Sequence, residues 1–207
     1  MQLTKEKHGI FFTAAILTFL AGSALILCSL VMGKIPFFRL LNTDLGTTAD
    51  YFFRFWTNTG DGAVWVLVAL PVFLFRKNKW VLLVSVILIS TLLTQLTKHF
   101  VFPNEPRPTA AIADSSLIHT VIGVELHKVN SFPSGHTATA FCIFLLMVLL
   151  FQNRWIIPVG FLLALLTGYS RVYLAQHFPL DVGGGMLVAV ASVYLSILVQ
   201  ERWEQRK

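Results

Sequence analysis

Between two runs of almost wholly apolar sequence lies the stretch "GYSRVYLAQHFPLD", which carries Arg171, His177 and Asp181. Two further groups of polar residues share its character. "SFPSGHTATAF" brings Ser134, Gly135 and His136, and "KHFVFPNEPRP" brings Lys98 and Arg107. Pro133 suits the first turn of a helix, which leaves Ser134, Gly135 and His136 at a helix N-terminus. Unpaired N–H groups and the dipole favour an anion there, and Gly135 lets the backbone come close to it. The inventory is three cations, a hydroxyl, two histidines and one carboxylate, and it fits a phosphoryl group. Arginine and lysine neutralise the phosphoryl charge, arginine with bidentate geometry. One histidine can attack phosphorus if a carboxylate orients its other nitrogen, and the second can protonate the departing oxygen. His177 and Asp181 are four apart, the spacing that shares a helix face. Pro179 between them makes a contact at the start of the helix the alternative geometry.

The elements that must position these residues read as membrane helices. Of the 207 residues, 56% are hydrophobic and only 13% charged, about half the charged share of a soluble domain. Residues 1–207 read as one membrane-embedded domain. A net charge of +6 in short clusters excludes the basic stripe that nucleic acid would need. Six apolar segments stand out: Ile10–Met32, Gly62–Phe75, Trp80–Thr97, Thr137–Phe151, Trp155–Tyr169 and Val182–Val199. The first is longer than a signal-peptide core of roughly 7–15 residues and reads as a retained transmembrane helix. The second, fourth and fifth fall short of the roughly 17–25 residues of a spanning helix. They gain length only by absorbing the polar flanks Thr57–Asp61, Ser134–His136 and Ser170–Leu174, so helix ends on one side should line a wet pocket. The expectation is an all-α integral membrane bundle of six transmembrane helices. An aromatic, sparsely charged interfacial segment lies between helices 1 and 2.

The short inside loops "RKNK" and "QNR" are basic, and with Lys5, Lys7, Arg202, Arg206 and Lys207 they predict cytoplasmic termini. The candidate residues then gather on the opposite, periplasmic or extracellular face of the membrane.

The stretch "YSRVYLAQHFPLD" resembles the S-R-x5-H-x3-D motif of the type 2 phosphatidic acid phosphatase superfamily, the lipid phosphate phosphatases. "PSGH" is similar to that family's central motif, "K…RP" to its first, and the motifs stand in family order across essentially the whole chain. The resemblance implies a phosphohistidine formed on His177, oriented by Asp181, with His136 protonating the leaving group. It implies that Lys98, Arg107, Ser134, Gly135 and Arg171 cradle the phosphate, with no metal and no cofactor required. Eight residues separate Lys98 from Arg107 here, where the family has six. Either the extra residues bulge within "FPNEP" or Lys98 falls short of the site.

The implied activity is a lipid phosphate or diphosphate phosphohydrolase. Undecaprenyl diphosphate, phosphatidylglycerol phosphate, phosphatidic acid and lipid A phosphates are the candidate substrates, and membrane lipids are the other partner. A lipid phosphotransferase using the same site is the alternative. A non-enzymatic transporter or envelope-assembly partner is a third reading, which an intact third motif fits poorly. The vanadium haloperoxidases share the motif set but are soluble.

Bland roles account for the remaining residues. Ser134 could also be a simple helix cap and Lys98 a snorkelling lysine. His99, His119 and His127 read as surface or loop histidines, His8 lies on the wrong side, and Asp61 reads as a helix cap. Gly183–Gly185 reads as a close helix approach, "YFFRFW" as an interface anchor, and Cys28 and Cys142 as buried packing.

Overall fold

The computed structural model describes residues 5–206; Lys207 and the side chains of Lys5, Lys7 and His8 lie outside the described residues. Every regular element among the described residues is helical. α1 (Lys5–Met32) ends at Gly33, whose φ of 87° turns the chain into α2 (Lys34–Leu41). α3 (Thr47–Trp56) is amphipathic, with Phe53 buried while Tyr51, Phe52 and Phe55 are exposed. A tight turn over Thr57–Gly60 leads to α4 (Val64–Phe75), and α5 (Trp80–Leu96) follows. Beyond a long loop that holds the single turn α6 (Pro108–Ala111) come α7 (Gly135–Phe151), α8 (Ile156–Tyr173) and α9 (Pro179–Gln205).

Among the described residues, four stretches are long and apolar enough to cross a membrane: Gly9–Met32, Lys77–Val101, Ile156–Tyr173 and Pro179–Gln205. Thr47–Gly60 and Val64–Phe75 qualify only as a pair bent by 48°, and Gly135–Phe151 is apolar but shorter. The expected absorption of flanks is visible in α8, which runs through Ser170–Tyr173, and in α7, which takes in Gly135 and His136.

α9 is the central helix. Met186, Ala189 and Val193 are fully buried in a core completed by Phe141, Leu145 and Leu146 of α7 and Leu83 and Val86 of α5. Three successive glycines let this crowding occur, each toward a different neighbour. A Cβ on Gly183 would lie 2.5 Å from Gly22 O of α1, one on Gly184 2.4 Å from the Phe132 ring, and one on Gly185 2.6 Å from Ser134 O. The close approach read from these glycines is therefore threefold.

At one end of the bundle the C-terminal turns of α9 lock onto the "RKNK" loop. Gln200 Oε1 accepts from Leu82 N (2.8 Å), Gln200 Nε2 donates to Asn78 O (2.9 Å), and Lys79 pairs with Glu204 at 2.9 Å. At the other end a single buried amide organises the loops. Asn42 Nδ2 donates to His119 O (3.1 Å), Val172 O (3.0 Å) and Tyr173 O (2.9 Å), while its Oδ1 accepts from His119 N (2.8 Å). The last carbonyls of α8 are thus satisfied from α2's end, as a buried helix terminus requires. His119 is a loop histidine, as read, but not a free surface one. Its Nε2 lies 3.0 Å from Asp50 Oδ1, which also accepts from Tyr173 Oη (2.7 Å).

Two readings are corrected. Cys142 is fully buried, but Cys28 is exposed, because it faces outward from α1 while Ala14, Ala15 and Thr18 face the core. Pro133 stands before the helix, not in its first turn. Ser134 is the residue whose oxygen accepts the free N–H of Thr137, and the helix starts at Gly135.

Candidate active site

The third polar stretch folds as a tight reversal. Ala175 adopts a left-handed φ of 52°, so the chain doubles back and Arg171 O accepts both Gln176 N (2.9 Å) and His177 N (3.0 Å). Phe178 then caps α9, Pro179 occupies the first turn, and the Asp181 carboxylate accepts from Phe178 N at 2.9 Å. His177 stands outside the helix, so its pairing with Asp181 is the contact at the helix start that Pro179 suggested. His177 Nδ1 lies 3.4 Å from Asp181 Oδ2. Ser131 Oγ donates to the same oxygen, while Asp181 Oδ1 is buried with no hydrogen-bond partner among the described residues. With Nδ1 turned to the carboxylate, Nε2 is the nitrogen left for chemistry.

His177 is 2% exposed. Burial first, and then the charges of Arg107, Arg171 and Lys98 together with the His136 ring, hold it well below the ordinary histidine value. Hydrogen bonds bring three of these residues to it: His177 N donates to Arg171 O, Arg107 Nη1 to the adjacent Gln176 O, and Lys98 Nζ to Asn130 O, next to the Ser131 that donates to Asp181.

Each cation is fixed by neutral acceptors. Arg107 Nε donates to Val129 O (3.0 Å), and Nη1 donates to Gln176 O (3.1 Å) and Gln176 Oε1 (3.3 Å). Its backbone N donates to Lys128 O, and Ser131 N to Glu105 O, so the loop's two ends pair beside the site. Arg171 Nη1 donates to Thr57 Oγ1 at 2.6 Å, and its Nε is buried with no partner among the described residues. Lys98 Nζ donates to Asn130 O at 2.8 Å.

The widened first motif has a local cause. Thr97–Val101 forms a wide π-turn closed by Phe102 N to Thr97 O, and Asn104 turns the chain at a φ of 60°. This slack is taken up while Lys98 stays in the electrostatic neighbourhood of Arg107, Asp181 and Arg171.

Ser134 is the cap of α7, accepting from Thr137 N (3.4 Å) and Thr137 Oγ1 (2.9 Å). Its own hydroxyl proton is not used by those two bonds. An added Cβ on Gly135 would meet only Thr94 Cγ2, at 3.9 Å, so that side of the helix start is open. Asp61 reads as a helix cap from the sequence, but the cap position of α4 is Ala63; the Asp61 carboxylate accepts from Ala63 N at 2.9 Å in the turn ahead of the helix. His99 and His127 are exposed.

Sequence reasoning missed Gln176, Ser131 and Thr57, which hold Arg107, Asp181 and Arg171 respectively. Of these, only Thr57 left a trace, in the polar flank before the second apolar segment.

Residues 79–205 match the PAP2 superfamily, and the chain belongs to that superfamily. Among curated relatives it is 35% identical over 135 residues to the undecaprenyl-diphosphatase BcrC of Bacillus subtilis (strain 168). That match takes in 63% of this chain and 65% of the relative, just under two thirds of the relative's length. The crystal structure of Aquifex aeolicus LpxE superposes with a TM-score of 0.67 at 34% identity, covering 77% of this chain and 92% of that one. The transmembrane PAP2-type phosphatidylglycerolphosphate phosphatase of Bacillus subtilis shares the fold, with a TM-score of 0.64 at 20% identity. In that case 93% of this chain and 96% of the other are covered.

Proposed function

We propose that this protein is an integral membrane hydrolase of lipid phosphates or diphosphates that works through a phosphohistidine. The convergence of His177, Asp181 and three cations held by neutral acceptors carries the reading. In the proposed reaction His177 Nε2 attacks phosphorus, and the bond from phosphorus to the leaving oxygen breaks. His136 gives that oxygen its proton. Asp181 fixes the imidazole and stabilises the positive charge it acquires. Water then attacks the phosphorus of the P–N bond with its proton passing to His136, which releases phosphate and restores His177. Lys98, Arg107 and Arg171 hold the non-bridging oxygens as charge shifts among them. The Gly135 end of α7 and the spare Ser134 hydroxyl proton add neutral donors.

The finer reading is a single domain whose six apolar segments all lie in a bacterial plasma membrane. The short α4 and α7 would complete their spans with neighbouring polar turns at the site end. α3 would lie at the interface with Tyr51, Phe52 and Phe55 toward lipid. The basic "RKNK" end would be cytoplasmic and the site periplasmic or extracellular, at headgroup depth. Among substrates, undecaprenyl diphosphate is favoured by the likeness to BcrC, with phosphatidylglycerol phosphate, phosphatidic acid and lipid A phosphates as the other arms of the test.

The test is phosphate release by purified protein in detergent against that panel, with and without chelator. Activity on at least one lipid is expected, unchanged by chelator and lost in His177→Ala and His136→Ala. Lys98→Ala is expected to raise KM. Full activity in His177→Ala would overturn the mechanism.

A further inference from the structure

We propose that Thr57 is the positioning residue of Arg171, so that the Thr57–Gly60 turn is a working part of the phosphate site. The inference rests on the reading of Arg171 as a phosphate ligand and adds a residue outside the 79–205 stretch that defines the family match.

Arg171 is 7% exposed and takes part in no ion pair among the described residues. Its one side-chain hydrogen bond there is the 2.6 Å contact from Nη1 to Thr57 Oγ1, and its buried Nε has none. A buried guanidinium so poorly satisfied is costly unless an anion completes it. With Nη1 tied to Thr57, the remaining N–H groups are left for a tetrahedral oxyanion.

The chemistry of the anchor matters as much as its place. A carboxylate at position 57 would neutralise Arg171 and compete with phosphate for its donors. A threonine hydroxyl fixes the guanidinium without an ion pair, so its charge is opposed only at longer range, by Asp61. Arg107 is treated the same way, with carbonyl and amide oxygens as its only side-chain acceptors among the described residues.

Thr57 is itself held against both helices that carry the site. Its backbone N closes the last turn of α3 onto Phe53 O. Two residues on, Thr59 Oγ1 meets Thr167 Oγ1 at 2.8 Å, one helical turn before Arg171 on α8. Gly60 then packs so closely that a Cβ there would lie 2.7 Å from Thr167 Cγ2 and 2.8 Å from both His136 Cβ and His136 O. The turn is therefore wedged between the α8 face that presents Arg171 and the first turn of α7 that presents His136. A wedge so placed can set the arginine without touching the nucleophile.

The test compares Thr57→Val, Thr57→Ser, Thr57→Asp and Arg171→Ala by calorimetric binding of orthovanadate and by kcat and KM on the lipid that the wild type hydrolyses. Thr57→Val keeps the shape and removes the acceptor. It is expected to weaken orthovanadate binding and lower kcat/KM, each on the order of 10- to 100-fold, in a folded protein whose thermal midpoint falls only modestly with the lost buried bond. Thr57→Ser should stay within about twofold of wild type, and Thr57→Asp should lose orthovanadate binding. Wild-type binding and kcat/KM in Thr57→Val, with Arg171→Ala inactive, would overturn this inference alone. A fully active Arg171→Ala would instead overturn the role of Arg171 on which it rests. If Thr57→Val fails to fold, the Ser and Asp variants decide: equal behaviour of the two overturns the proposal.

Discussion

Replacing Gly185 by alanine perturbs the site from a distance and by an amount the geometry sets. The added Cβ would lie 2.6 Å from Ser134 O, 2.9 Å from Thr137 Cβ and 3.2 Å from Ala138 N. Two of these are backbone atoms at the start of α7, so no side chain can swing away. Relief to an ordinary contact near 3.4 Å needs α9 and the α7 N-terminus to separate by about 0.8 Å. Overpacking of this kind costs about 1–3 kcal/mol. The same movement strains the 2.9 Å bond from Ser134 N to Asp181 O that joins the two helices beside the site. Since an error near 1 Å in positioning costs about 100-fold in rate, Gly185→Ala is expected to lower kcat by ten- to a hundred-fold, together with a lower thermal midpoint. Gly62→Ala is the control, because a Cβ there meets nothing within 4 Å. Phosphate release and thermal unfolding in detergent measure both. Wild-type kcat in Gly185→Ala would refute the claim that the glycine sets the spacing of the site.

Further outcomes follow from other contacts. Asp181→Asn keeps an acceptor for Phe178 N but loses the charge that steadies His177, and should lower kcat by roughly 10²–10⁴-fold in a folded protein, measured as phosphate release. His177 is held neutral in the folded chain, whereas the unfolded chain takes up its proton below about pH 6.5. Its contribution to stability is therefore complete above that pH and declines below it, by up to about 1.4 kcal/mol per pH unit. Unfolding midpoints between pH 7 and 5 should fall in wild type and fall less steeply in His177→Asn. Gln176→Leu removes the side-chain acceptor of Arg107 and the donor to Glu125 O. It should raise KM several-fold and speed proteolysis within residues 109–128, at a cost of about 1–3 kcal/mol for the unpaired buried groups.

The residues proposed to react stood out as candidates because histidine, arginine and aspartate are rare in apolar sequence and expensive to keep there. The spacing of His177 from Asp181, with Pro179 between, was enough to foresee a contact at the helix start. Their supports were not legible. Thr57 finds Arg171 across 114 positions, and Gln176 finds Arg107 across 69, and neither residue type stands out from ordinary loop polarity. The turn at Ala175 was hidden for a related reason, since a left-handed residue is usually announced by glycine or asparagine. Helix limits were read from apolar runs, which explains why α4 emerged shorter than expected and bent from the segment before it. The extra residues after Lys98 looked like a break in the motif because a π-turn leaves no periodic trace.

The reversal after α8 has one more consequence. Because Arg171 O takes the amide protons of both Gln176 and His177, the proposed phosphate ligand and the proposed nucleophile belong to one closed loop of backbone. A direct hydrogen bond from His177 N to Arg171 O ties their backbones together. His136 and Lys98 arrive on separate helices, and Arg107 on the long loop. In the proposed reaction, movement between the helices would then shift His136 and the leaving oxygen more than the line of attack.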